Sequence, residues 1–343
     1  MKLHFTERDP SIETTWRSIV LLGNNVASYK FALAKTLLAL PEEVTQPTLD
    51  ELSLPFALNL CEHLKQNPKQ ITSKTSRFLN YCKNYNDTVI EKDELALRTK
   101  QLGFANVIDA FHTVARNQTS IRFFEDDRAH SKSIILTDSV FQLKKSLQAT
   151  NLLNEVEARW RLWEKAISLG VTPETLIVHS DYSDILYVED QKRRRVNITP
   201  SRDALIGYQK GKCFYCGTFI STIGGSPHLG EVDHFFPFYL YRKTGEVFFK
   251  KVEEVWNHVL ACTSCNGAGG KSNSLAAKTY LEKLHRRNNY YIDSHHPLRE
   301  TIISQTGTTE QTRISFLEGF LNRSIDIIPS EKWRPREVKD ESF

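Results

Sequence analysis

Several features that settle a protein's class early are missing from this sequence. No stretch approaches the roughly 18 uninterrupted apolar residues of a membrane-spanning helix, and the opening MKLHFTERDPSIETTW lacks the apolar core of a secretory signal. A cytoplasmic protein without a membrane partner is therefore expected. A large excess of one charge is also missing. Lys+Arg 45 against Asp+Glu 41 leaves a formal net charge of +4, too slight to mark a polyanion-binding protein, so any basic surface has to be local. Internal repeats and extended low-complexity tracts are absent, which argues against repeat arrays. What is there is ordinary for a globular chain: 343 residues, 40% hydrophobic and 25% charged, enough for about two domains with buried cores.

From residue 14 to about residue 116, apolar residues recur at helical spacing, as in WRSIVLLGNNVASYKFALAKTLLAL, with breaks expected at Pro41, Pro47, Pro55 and Pro68. The pattern predicts a helical bundle. SIRFF and SIILTDSVF have the β-branched and aromatic content of short strands, and the acidic residues 125–127 between them read as a turn. NLLNEVEARWRLWEKAISLG reads as a helix ending at Gly170, before Pro173. The basic run Lys192, Arg193, Arg194 and Arg195 in QKRRRVNITP marks a change of character, and a domain boundary is placed there. Further helices are expected over SRDALIGYQKG, AAKTYLEKLHRRNNYYI and RISFLEGFLNRSI. The expected fold class is α+β, mainly α. Residues 1–195 form a mainly helical regulatory or recruitment part, 196–300 carry the chemistry, and 301–343 hold a terminal helix and a disordered polar tail, EKWRPREVKDESF.

Four of the six cysteines fall into two CxxC pairs, Cys213 with Cys216 in KCFYCG and Cys262 with Cys265 in ACTSCN, while Cys61 and Cys82 stand alone in helical sequence. In a reducing compartment this pairing favours a metal over disulfides. Two turns with two thiolates each close a tetrahedral site, and zinc suits sulfur ligands without redox chemistry of its own. The bland alternative is two unrelated pairs of buried or redox-active cysteines. A four-cysteine zinc ion has no open position, so its role is structural and any chemistry belongs to the insertion between the pairs.

That insertion contains EVDHFFP and then WNHVLACTSCNGAGGKSN. Together these motifs resemble the HNH, or His-Me finger, nuclease family over roughly residues 202–274. The resemblance implies a zinc-stapled ββα-metal domain in which a strand ends in Asp233–His234, Asn257 sits in a loop, a second strand runs into the second cysteine pair, Asn266 begins the following helix, and Lys271 takes the basic position. It implies His234 as general base, Asp233 and Asn266 as ligands of a catalytic Mg²⁺ (Mn²⁺ as a substitute), and Asn257 either orienting His234 or bracing the loop. DNA is the implied substrate, nicked once per active site to 5′-phosphate and 3′-hydroxyl ends. By resemblance, stand-alone HNH proteins of this layout look like restriction or phage-defence effectors, with mobile-element nucleases as the competing context, and a companion ATPase or other defence-system subunit is an expected partner. The residue types also suit the chemistry by themselves, since phosphodiester hydrolysis needs a base for water, stabilisation of developing charge and help for the leaving oxygen. FPFYLYRKTGEVFFKKVEEVW, between His234 and Asn257, is longer than in many relatives. A non-catalytic, zinc-stabilised nucleic-acid-binding module, or a subunit controlled by a partner, remains the competing expectation.

His258 is the rival to Asn257 for the middle role, or else faces the other side of the strand. Lys192, Arg193, Arg194, Arg195, Lys271, Arg286, Arg287 and Arg299 are candidates for phosphate contacts, or for solvated faces. His285, His295 and His296 read as capping or packing residues rather than a second metal site. Asn197 opens an N-x-T sequon that is chance in a cytoplasmic protein. Phe235, Phe236, Phe238, Tyr239 and Tyr241 are expected to form a small core around the metal.

Overall fold

The computed structural model describes residues 11–22, 25–73, 75–114, 117–172, 176–180, 184–189, 195–293, 298–329 and 332–339. Lys192, Arg193, Arg194, His295 and His296 lie outside the described residues. The fold is α+β and mainly helical, about 52% helix with small two-stranded sheets. Two compact units divide at Val171 and Thr172, earlier than the expected boundary. The reason is local. Strand β5 (Ile185–Glu189) pairs antiparallel with β6 (Arg195–Pro200) in one hairpin, so a cut at 195 would divide a sheet.

In the first unit, helices α1 (Ile12–Leu21), α2 (Tyr29–Ala39), α3 (Leu49–Gln66), α4 (Arg77–Asn86) and α5 (Lys92–Leu102) precede the single turn α6 (Val107–Ala110). Four short strands follow as the hairpins β1–β2 (Thr113–Val114, Asn117–Gln118) and β3–β4 (Phe124–Asp127, Ser133–Leu136), and then α7 (Asp138–Lys145) and α8 (Ala149–Ser168). α3 starts at a capping box between Thr48 and Glu51 and runs through Pro55, contrary to the expected break. Its Leu52, Phe56, Leu60 and Leu64 form a buried stripe, and this tertiary packing outweighs the one backbone donor that proline removes. Glu125, Asp126 and Asp127 are strand residues of β3 rather than a turn. Arg128 makes this tolerable, bonding both the Asp126 carboxylate and Asp109. Residues 138–141, read as strand, begin α7 instead. α8 ends as expected, with Gly170 at φ +74°.

The second unit contains, after β5–β6, α9 (Ser201–Ile206), β7 (Gly230–His234), α10 (Tyr239–Thr244), α11 (Val247–Lys250), β8 (His258–Cys262), α12 (Thr263–Asn266), α13 (Lys278–Asp293), α14 (Arg299–Thr306) and α15 (Glu310–Ile327). β7 and β8 form an antiparallel pair with Asp233 opposite Val259 and His234 opposite His258. The aromatic insertion between them does not gather around the cysteines alone. Phe236 and Trp256 lie 4.8 Å and 5.3 Å from Phe320 of α15, while Phe248 stacks on the same ring and Phe249 meets it edge-on. Phe235 packs on Phe214, while Tyr239 is exposed. The polar tail is not loose where it is described. Trp333 bonds the backbone of Leu275 and Ala277, its ring meets Tyr215 edge-on at 5.1 Å, and Lys339 N–H donates to Cys216 O.

Candidate functional site

Cys213, Cys216, Cys262 and Cys265 converge, with all four sulfur atoms within 4.8 Å of one another. The Cys216 and Cys262 sulfurs stand 3.7 Å apart, against about 3.8 Å for two corners of a tetrahedron with metal–sulfur bonds of about 2.3 Å. Such a set can hold a metal ion such as zinc. Each pair sits on a turn that backbone bonds define. Gly217 N–H donates to Cys213 O at 3.0 Å and takes φ +73°, which suits glycine. Lys271 N–H donates to Cys265 O at 2.7 Å. A β-carbon on Gly270 would lie 2.3 Å from that same carbonyl, so only glycine allows the chain to pass. The first turn is tied directly to β8, Phe214 N–H donating to Leu260 O at 2.8 Å. A cavity of about 750 Å³ beside the cluster is lined by Thr263, Arg334, Arg336 and others, and by neither Asp233 nor His234.

Successive strand residues point to opposite faces, so Asp233 and His234 part company along β7. On one face, Asp233 is buried and both its oxygens are engaged. Tyr215 O–H donates to Oδ2 at 2.6 Å and Lys271 Nζ to Oδ1 at 3.1 Å. Burial raises the Asp233 pKa above the usual carboxylate value, opposed by the Lys271 charge and these bonds. Glu231, two residues earlier on the same face, accepts from the Asn266 amide at 2.7 Å. The Asn266 carbonyl oxygen has no hydrogen bond among the described residues. Asn266 closes the four-residue α12 instead of opening a long helix. The turns that follow, over Gly267–Gly270, postpone the long helix to Lys278.

On the other face, the His234 ring meets His258 edge-on at 4.7 Å between centroids. Burial first, and the Lys271 charge second, pull the His234 pKa down to about 4. Its Nε2 is buried without a partner among the described residues. No hydrogen bond joins the His234 ring to Asp233 or Asn266 there. Asn257 is fully buried and braces the loop after β7, accepting from Phe236 N–H at 2.8 Å and donating to Phe236 O at 2.9 Å and Val252 O at 2.8 Å.

The candidate phosphate contacts separate by burial. Lys271 and Arg287 are 0% exposed. Lys271 spends its ammonium on Asp233, His234 O and Ser272 O. Arg287 donates to His258 O and Trp256 O and lies over the Tyr291 ring. Both are interior braces, not parts of an open basic surface. Arg286 and Arg195 are exposed, with Arg195 over the Tyr187 ring, and Arg299 is paired with Glu300. His285 faces Asn289 and Glu310. Tyr215 and Glu231 were not singled out in the sequence, although Glu231 shares the strand periodicity of Asp233 and Tyr215 lies inside the first CxxC. No family model, no curated protein and no solved structure matches this chain.

Proposed function

We propose that this chain is a metal-dependent endonuclease of the HNH type, hydrolysing DNA phosphodiester bonds, with His234 as the general base. One observation carries the reading: an antiparallel pair whose first strand ends in Asp233–His234 and whose second runs into a cysteine cluster able to staple it. Burial keeps the His234 imidazole neutral at physiological pH, the state in which it can accept a proton from an attacking water. Asn257 holds the backbone after His234 in place, and the Lys271 ammonium fixes the carbonyl of His234 itself. A zinc ion on the four cysteines would hold the two strands to the turns flanking them.

Mg²⁺, or Mn²⁺ in its place, suits the donors on the other face. Asp233 and Glu231 are carboxylates, and Asn266 offers a carbonyl oxygen with no competing bond among the described residues. Asp233 and Asn266 would hold the ion, with Glu231 beside them. When bound, it supplies charge neutralisation at the phosphate and at the departing oxygen. A role in restricting foreign DNA, alone or with a companion ATPase, rests on the sequence resemblance alone.

A second reading, a zinc-stabilised nucleic-acid-binding module that does not cut, draws on a specific feature. Both oxygens of Asp233 are already bonded within the protein, and His234 points away from them. Supercoiled plasmid with zinc-replete protein and Mg²⁺ separates the two. Open-circle product from wild type but not from His234→Ala supports the endonuclease. Unchanged plasmid bound equally well by both proteins supports the binding module.

A further inference from the structure

The middle role in the hairpin was expected to fall to one residue, either orienting His234 or bracing its loop, and the structure divides it. Asn257 commits both ends of its amide to the backbone of Phe236 and Val252, so its side chain braces the loop and makes no hydrogen bond to His234 among the described residues. The next residue, His258, is 0% exposed, and neither of its ring nitrogens has a hydrogen-bond partner among the described residues. A neutral imidazole carries one donor and one acceptor, and burying both unmade is worse than burying an apolar side chain of the same shape. The cost calls for a compensating partner. Arg287, the nearest cation on α13, does not supply one, because its guanidinium bonds the backbone carbonyls of His258 and Trp256.

Among the described residues, the complementary group seen against the ring is His234. The two residues are in direct cross-strand register, so their side chains share a face. Their rings are 4.7 Å apart at 81°, and the His234 Nε2 is likewise buried and unpartnered. Two imidazoles joined edge to edge by an N–H···N bond of about 3 Å have centroids about 5 Å apart. Rotation about the soft χ2 angles is enough to align them.

We propose that His258 is a positioning residue for His234: His234 donates its Nε2–H to a ring nitrogen of His258, which fixes the tautomer and orientation of His234 and leaves Nδ1 as the atom that takes the proton from water. The assignment rests on the endonuclease reading for its catalytic meaning, but the imidazole pair itself does not. With Nε2 holding the proton, the Nδ1 lone pair is available throughout. Without the partner, the two neutral tautomers interconvert and the ring is free to turn, so part of the population presents the wrong nitrogen.

The test uses full-length, zinc-replete protein labelled with ¹⁵N-histidine, alone and then with supercoiled plasmid and Mg²⁺. Wild type should show His234 as the Nε2–H tautomer, with a through-bond ¹⁵N–¹⁵N coupling to His258. His258→Leu, which fills the same core space, should lose that tautomer preference and lower kcat about 10- to 100-fold with KM changed less than about threefold. His258→Gln, whose amide oxygen can accept the same bond, should recover most of kcat. Absence of the coupling in wild type, or an unchanged His234 tautomer and kcat in His258→Leu, would overturn the proposal. If wild type shows the coupling yet never cuts plasmid, the endonuclease reading fails while the imidazole pair stands. If wild type cuts but shows no coupling, the reverse holds. Should His258→Leu fail to fold, the wild-type coupling and the Gln variant decide alone.

Discussion

Lys271 Nζ lies 3.1 Å from Asp233 Oδ1, with the two side chains 0% and 6% exposed, and the same ammonium donates to the carbonyl of His234 at 3.0 Å. The pair thus ties the turn after the second cysteine pair to the end of β7. Breaking one side of such a pair leaves an uncompensated buried charge, at a cost of about 3–5 kcal/mol. Lys271→Met should therefore lower the denaturation midpoint sharply, and Lys271→Met with Asp233→Asn should recover a large part of the loss. Equal destabilisation by the single and double variants, followed by circular dichroism in urea, would contradict the pairing.

The four cysteines lead to a second expectation. A four-sulfur ion contributes directly to folding, because the site does not exist in the unfolded chain. The purified protein should contain one zinc per chain by elemental analysis. Strong chelation, or Cys262→Ser, should loosen the hairpin, seen as lost near-ultraviolet dichroism from Tyr215 and Trp256 and faster amide exchange in β7 and β8. Retention of wild-type exchange rates after complete removal of metal would rule out a structural role. Trp333 packs on Tyr215, so Trp333→Ala should make the metal easier to extract.

Two neighbouring arginines on α13 should behave oppositely. Arg287 is interior and braces the carbonyls on either side of Asn257, whereas Arg286 is exposed. Arg287→Met should lower stability by about 2–4 kcal/mol through orphaned carbonyls and lost packing. Arg286→Ala should leave stability within about 0.5 kcal/mol of wild type and, if DNA passes this helix, reduce the salt dependence of binding by about one charge. Thermal unfolding together with binding titrations at several salt concentrations separates these outcomes. A reduced salt slope in the Arg287 variant with stability unchanged would show that the guanidinium faces the nucleic acid after all.

Much of the hairpin was legible because its signals are local. The CxxC spacing marks both turns, and the two strands followed from the family resemblance carried by EVDHFFP and WNHVLACTSCNGAGGKSN. What was not legible depends on partners distant in sequence. Nothing near Pro55 indicates that α3 continues through it, since the decision lies in the stripe Leu52, Phe56, Leu60 and Leu64. Trp333 sits in a polar tail whose composition reads as disordered, and only its contacts with Leu275, Ala277 and Tyr215 order it. The break after Asn266 was not expected, since the resemblance implied a helix beginning there, and the need for Gly270 appears only when Cys265 O is found against it. Arginine next to arginine at 286 and 287 reads as one basic patch, whereas helical geometry turns one outward and one inward.

His63 provides a test in the first unit that is independent of any catalytic reading. Its two ring nitrogens face two carboxylates of α8, Nδ1 at 2.9 Å from Glu164 Oε1 and Nε2 at 3.2 Å from Glu157 Oε2, and the ring stacks on Trp160. Two acceptors require two donors, so the imidazolium is the form that fits. Burial pulls the His63 pKa down, but the bonds and charges of Glu157 and Glu164 outweigh it and leave a net rise above 6.5. A base whose folded pKa is raised stabilises the fold fully below its unfolded pKa, and that contribution is lost as pH rises through the folded value. The stability difference between wild type and His63→Gln should therefore be largest near pH 6 and shrink toward pH 8.5. The difference must be used because other groups in this unit titrate as well. Burial lowers Lys30 to about 8, and burial aided by Arg122 and Lys30 lowers His112 to about 3. The His112 contribution has the opposite sign, present above pH 6.5 and lost on acidification. Amide exchange in α3 and α8 of the full chain, measured from pH 5.5 to 8.5 and corrected for intrinsic rates, gives the difference directly. A constant gap across that range would mean that His63 is held neutral, with one of its carboxylates protonated instead.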